Sequence, residues 1–165
     1  MQKFIEQLKN EKYGTLIAVC ARPGNGRRTF AIGLANTLSQ QGEAVCFYSF
    51  SCSLTGLDET IDPQVRKLNS LTSPILPGAF VIVDDLTAGF LPLSPSARDA
   101  AKTALLSWLK ELATYNNLRV VVTDTFARHI GPPPLSTQSL LLCRAVYELR
   151  RQADATICLA ELPRT

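Results

Sequence analysis

Five short apolar runs punctuate the chain, at residues 15–20, 44–48, 79–83, 119–123 and 155–159. Each is rich in Val, Ile, Phe or Cys and lacks the alternating polar positions of a strand with one wet face. Runs of this kind suit strands of a parallel sheet, buried on both faces. Between them the period lengthens to that of a helix. Residues 28–41 carry Ile32, Leu34, Ala35 and Leu38 at helical spacing and stop at Gly42. Residues 96–115 are the clearest helix. There Ala97, Ala101, Ala104, Leu105, Trp108, Leu109 and Leu112 form one apolar stripe that packs on the sheet, with Lys102, Lys110 and Glu111 mostly off it. Ser94 or Ser96 is expected to cap its start, and Asn116 and Asn117 to end it. Residues 138–151 predict a third helix, with Leu141, Leu142, Ala145, Val146 and Leu149 along one face. Residues 57–69 are weakly helical at best.

Strands alternating with helices predict one α/β domain over residues 1–165, built as three α/β/α layers around a mainly parallel sheet of five strands or more. Residues 1–13 form a helical extension whose Phe4, Ile5 and Leu8 make an apolar strip two turns long, suited to covering a sheet edge or meeting another chain. Pro74 and Pro77 mark a loop at residues 70–78, and Pro132, Pro133 and Pro134 a stiff connector.

Composition narrows the function classes. Of the 165 residues, 46% are apolar and 19% charged, enough to bury a core and too apolar for a disordered chain. A net charge of +3 does not by itself argue for nucleic-acid binding. No apolar run approaches the ~20 residues of a membrane span. Residues 1–12 are too polar for a secretory signal, so the expected location is the cytoplasm. Cys20, Cys46, Cys52, Cys143 and Cys158 have no CxxC spacing and are expected as free thiols. The lone histidine, His129, has no ligand partner nearby and is expected to be exposed, so no metal site is expected.

The candidate chemistry lies where the first apolar run ends. Ala21-Arg22-Pro23-Gly24-Asn25-Gly26-Arg27-Arg28-Thr29 sits between a strand and a helix, the context of a phosphate-cradling P-loop. Against the pattern G-x-x-x-x-G-K-[ST], Ala21 takes the first glycine position, Gly26 the last, Arg27 the lysine and Arg28 the Ser/Thr. Gly24, Asn25 and Gly26 preserve the backbone half of an anion site. The side-chain half is lost. A planar guanidinium does not replace a compact ammonium in a tight cradle, and a cation at Arg28 repels the Mg²⁺ that a hydroxyl would hold. Thr29 offers a hydroxyl only if the register slips by one residue. Downstream, the run 79–83 ends in Asp84 and Asp85, the pattern of a metal-orienting Walker B strand.

These stretches resemble the RecA-fold motor domain of DnaB-type replicative helicases. The resemblance covers the strand and turn from Leu16 to Gly26 followed by Thr29-Phe30-Ala31, the strand Val45-Cys46-Phe47-Tyr48-Ser49-Phe50, the strand around Asp84, and Arg144 with Gln152-Ala153-Asp154 ahead of the last apolar run. It implies a RecA-like fold, an arginine-bearing loop at Arg144 as a candidate interface residue, and partners that are RecA-fold ATPases or copies of this chain. It also implies losses. Ser51 stands where the family has the water-activating glutamate, and Thr125 where it has a polar sensor glutamine. Loss of a general base typically costs about 10²–10⁴-fold, and loss of the lysine and magnesium hydroxyl removes the charge stabilisation on which phosphoryl transfer depends.

The expectation is therefore a catalytically inactive RecA-like pseudo-ATPase acting as an adaptor or regulatory subunit, without a cofactor for chemistry. ATP or another phosphate anion held without hydrolysis is the alternative for the loop. A divergent NTPase with Arg27 as phosphate clamp, Asp84 for metal and Asp85 as base is the competing enzyme reading. Single-stranded DNA binding is a third. It rests on Arg22, Arg27, Arg28, Arg144, Arg150 and Arg151 converging at one end of the sheet, and is weakened by an aromatic content of only 7%. The chain ends soon after the last apolar run and leaves no room for a collar domain, so an autonomous hexameric helicase is not expected.

Overall fold

In the computed structural model, which describes residues 1–51, 60–125, 136–152 and 157–162, the first strand sets the plan. In β1 (Thr15–Ala21), Leu16, Ala18 and Cys20 join the apolar cluster on one face of the sheet. Ile17, Val19 and Ala21 join the cluster on the other, and all six are buried. A strand apolar at every position needs cover on both sides. Helices α1 (Gln2–Asn10) and α2 (Arg27–Gln40) supply it on one face. The short α3 (Leu86–Gly89), the long α4 (Pro95–Tyr115) and α5 (Thr137–Leu142) supply it on the other. The three-layer α/β/α architecture follows.

The sheet has seven strands among the described residues. They are β1, β2 (Val45–Ser49), the two-residue β3 (Arg66–Lys67), β4 (Phe80–Asp84), β5 (Arg119–Thr125), β6 (Ala145–Arg151) and β7 (Ile157–Glu161), in the order β3-β2-β4-β5-β1-β6-β7. All pairs are parallel except β6 with β7. The expected mainly parallel sheet of five strands or more is present. Parallel pairing brings the carboxyl ends of β1, β2, β4 and β5 to one edge. That edge is where ligands bind in open α/β sheets.

Several expectations are corrected. Residues 138–151 do not form one helix: α5 stops at Leu142, and 145–151 are the strand β6. The apolar set there fits a helical period, but β1 offers a parallel partner from Ile17↔Ala145 to Ala21↔Leu149, and pairing buries Ala145, Val146, Tyr147 and Leu149. Leu141, placed on the expected buried face, is 79% exposed. The last apolar run enters the sheet antiparallel, as β7, with 155–156 outside the described residues. Within 60–69 the chain forms turns and β3 rather than helix.

The buried face of α4 is rotated from the expected stripe to Lys102, Leu106, Leu109 and Ala113, while Ala104 is exposed and Trp108 only half-buried against the sheet. Ser94 takes the N-cap position without a side-chain bond, ahead of Pro95, and Asn116 closes the helix with Asn117 at φ +53°. Phe4, Ile5 and Leu8 of α1 pack on the face of the sheet, not over its edge, with Phe4 edge-on to Tyr147 at 5.2 Å. Cys20, Cys46 and Cys143 are buried free thiols, and Cys158 is a half-buried one. Cys52, His129 and Pro132–Pro134 lie outside the described residues. No described helix is long and apolar enough to cross a membrane.

Candidate functional site

The turn after β1 is built as the sequence suggests. Gly24 and Gly26 adopt φ of +83° and +76°, the left-handed region where glycine costs least. Gly26 is the N-cap of α2 and its carbonyl accepts from Phe30 N at 2.8 Å. Asn25 ties the turn to the neighbouring strand, donating through Nδ2 to the Leu149 carbonyl at 3.2 Å. The turn thus has the backbone form the sequence suggests, at the amino end of a 14-residue helix, where an anion would be favoured.

Arg27, the first residue of that helix, turns across the carboxyl edge of the sheet. Its Nη1 donates to Asp85 Oδ1 at 2.6 Å and to the Thr125 hydroxyl. Its Nε stands 3.3 Å from Asp84 Oδ1, an ion pair without hydrogen-bond alignment, and is buried with no other partner among the described residues. The side chain is 14% exposed, Asp84 0% and Asp85 16%, so this is a charge cluster largely removed from water. One guanidinium faces two carboxylates through two separate nitrogens, Nη1 and Nε, a reach that a compact ammonium cannot reproduce.

The carboxylates are held from the other sides as well. Thr123 Oγ1 donates to Asp84 Oδ1 at 2.6 Å, and Ser49 Oγ lies 3.4 Å from Asp84 Oδ2. Ser51 Oγ donates to Asp85 Oδ2 at 3.2 Å, and Ala88 N to Asp85 Oδ1 at 3.3 Å. Asp85 caps α3 from a left-handed conformation, φ +66°, with its own N–H bonded to Thr123 Oγ1 at 3.2 Å. An aspartate held at positive φ stores strain, which is typical of a residue fixed by its surroundings.

Five of the residues singled out in the sequence therefore close on one another: Arg27, Asp84, Asp85, Ser51 and Thr125. Others do not. Thr29 is exposed on α2, and Arg28, half-buried one residue earlier, has an interaction of its own. The expected convergence of arginines fails for Arg144. It sits at the amino end of β6, on the opposite edge of the sheet, with its N–H on the Leu16 carbonyl and its Nε 3.7 Å from Glu11. It is 63% exposed. Arg22 and Arg150 do meet, on either side of the mostly buried Glu148, at 3.6 and 2.7 Å.

The sequence reading missed one network beside the site. Lys102 Nζ, nearly buried, donates to Asp124 Oδ2 at 2.6 Å and Thr87 Oγ1 at 2.7 Å. Asp124 Oδ1 accepts from Thr87 N, Thr87 Oγ1 and Thr125 N at 3.0, 2.6 and 2.9 Å. The pair fastens α4 and α3 to the end of β5. An acid directly after the apolar run 119–123 was the available signal. A buried carboxylate requires donors, and Lys102 is the cation on the facing helix. Cys20 lies close enough to feel this pair; burial, and then the Asp124 charge, pushes its thiol well above the ordinary range.

Magnesium does not fit these residues. Arg27 already occupies the inner side of both carboxylates, its positive charge opposes a second cation, and the helix presents Arg28 where a hydroxyl ligand would stand. Among the described residues, no group of three His, Cys, Asp or Glu side chains is arranged to hold a metal.

Among solved structures, the chain superposes with a TM-score of 0.64 on a DnaB-like replicative helicase, in a structure that also describes the helicase's interactions with primase. The superposition covers 92% of this chain and 56% of the helicase chain, at 11% sequence identity. The fold is RecA-like. A second solved structure, the ATPase domain of another protein, gives the same TM-score, at 12% identity over 92% of this chain and 81% of that one. The resemblance read from the sequence is thus matched in three dimensions. No family model matches the chain, and no curated protein matches it in sequence.

Proposed function

We propose that this RecA-like domain is a catalytically silent relative of helicase ATPase domains and serves as a protein-binding adaptor or regulatory subunit. One observation carries the reading: the Arg27 guanidinium is spent on Asp84, Asp85 and Thr125. In a working phosphate site the cation of this turn faces the nucleotide and the strand-end aspartate faces the metal. Here the two neutralise each other. Ser51 adds a hydroxyl where a base is needed, and it too is turned to Asp85. The enzyme reading, with Asp85 as base, requires this carboxylate to release Arg27 before it can accept a proton. The partners proposed are a RecA-fold ATPase or a second copy of this chain, because the faces of such a domain remain when its chemistry is gone.

Calorimetric titration of the full chain with ATP and Mg²⁺ tests the silent site. The proposal expects no heat of micromolar binding, and Mg²⁺-dependent micromolar binding accompanied by phosphate release contradicts it. Sedimentation velocity over a concentration series separates self-association from a requirement for another protein.

A further inference from the structure

A second concave site lies away from the Arg27 cluster. Between α1, the start of α2 and the β6–β7 pair is a cavity of about 460 Å³, within the range of small-molecule sites. Its floor is apolar and fixed by packing: Phe4, Phe30, Tyr147 and Leu149 are all buried. The three rings hold one another, with Phe4 5.8 Å from Phe30 and 5.2 Å from Tyr147. Its rim is mixed, with Met1, Lys3, Gln7 and Thr29 exposed, and half-buried Cys158 and Leu159 close one side.

The polar groups on this wall favour one kind of ligand. Among the described residues, Lys3 is the one charged side chain lining the cavity, and no carboxylate lines it. Gln7 Nε2 donates to the Tyr147 hydroxyl at 2.7 Å, so the hydroxyl's acceptor side is engaged and its proton is left to donate. Burial first, and then the charge of Glu161 across the β6–β7 pair, raises the Tyr147 pKa and keeps it a donor; the same Glu161 charge, outside the lining, opposes an anion at this hydroxyl, and Lys3 is the group that must offset it. A cation, a fixed O–H donor and an aromatic floor are complementary to an anionic head on a flat apolar body.

We propose that this cavity binds a small amphipathic carboxylate, an aromatic or short aliphatic acid whose head meets Lys3 and the Tyr147 hydroxyl and whose body lies on Phe4 and Phe30. The site is independent of the silent-ATPase reading. It abuts α2 at Thr29, two residues from Arg27, so an occupant touches the helix that carries the cationic plug.

The test is a ¹⁵N-resolved NMR titration of the full chain with 3-phenylpropionate, its uncharged counterpart 3-phenylpropanamide, and an apolar peptide of similar bulk. The expected result is saturable binding of the acid with Kd below ~1 mM, with shifts confined to α1, the start of α2 and the β6–β7 pair. The amide should bind about threefold more weakly, as expected for one exposed charge contact, and Lys3→Gln should bring the acid down to the amide's affinity. Leu159→Trp, which fills the cavity, should abolish binding; if that variant fails to fold, the Lys3→Gln and amide comparisons decide alone. Absence of saturable binding overturns the proposal. So does equal affinity for acid and amide, or binding by the peptide and not the acid, which would mark a protein-docking groove instead.

Discussion

Arg27 bridges the glycine turn after β1 and the strand-end carboxylates. At the position where a P-loop presents a lysine to phosphate, a longer planar cation reaches the strand-end carboxylates that would otherwise attract metal. Breaking a buried pair strands the remaining charge. Arg27→Met should therefore destabilise the protein by about 3 kcal/mol in urea unfolding, because Asp84 is left without its cation. Arg27→Met combined with Asp84→Asn should cost less than the sum of the two single changes, and strict additivity would mean that the ion pair carries no energy. Cys20 gives a second prediction at this scale. Its thiol pKa is raised by burial and by Asp124, so native protein should leave Cys20 unmodified by iodoacetamide at about pH 8, as followed by peptide mass mapping, and unfolding in urea should expose it. Prompt labelling of the native thiol would contradict its placement. The residues of the site were legible one by one in the sequence, Arg27, Ser51 and Thr125 as departures from a motif and Asp84 and Asp85 as a match to one. That they bond to each other was not legible, because the segments bearing Arg27, Asp85 and Thr125 meet only through the order β4-β5-β1 in the sheet.

At the scale of elements, burial decided where periodicity was ambiguous. Residues 145–151 satisfy both a helical and an extended pattern, and the edge of β1 that β5 leaves open selected the strand. The same reasoning explains α4. A stripe chosen by apolarity alone excluded Lys102, yet the helix turns it inward because Asp124 at the end of β5 needs a donor. Lys102→Met should cost about 2–3 kcal/mol in urea unfolding, somewhat below a fully stranded charge, since Asp124 keeps the two Thr87 donors and Thr125 N. No measurable loss would show the pair to be dispensable. The short helix α3 carries a tighter constraint. A Cβ at Gly89 would clash with the Phe50 ring, at 2.9 Å from Cε1 and Cγ and closer still to Cδ1, and Phe50 is wedged between Tyr48 and Phe90 at ring separations of 4.9 and 5.8 Å. Gly89→Ala should destabilise by about 1–3 kcal/mol and alter the near-UV circular dichroism of these rings, whereas an unchanged spectrum and midpoint would mean the rings move aside freely. Nothing in the local sequence signals this contact, because it joins the ends of β2 and α3.

For the whole molecule, the layer order and the edge on which the site forms are legible in the sequence itself, from apolar runs at parallel-strand spacing and one glycine turn. A fold with this much burial retains its form when most of its residues are exchanged, as the likeness to a replicative helicase and to an ATPase domain at 11–12% identity illustrates. What such a domain does is then set by a handful of side chains at the sheet's carboxyl edge, and here those side chains satisfy one another. The most direct measurement is phosphate release from ATP by the purified full chain with Mg²⁺, run beside Arg27→Ala. The account predicts release at the rate of the buffer blank for both proteins. Steady Mg²⁺-dependent release by the unaltered chain, lost on Arg27→Ala, would contradict it.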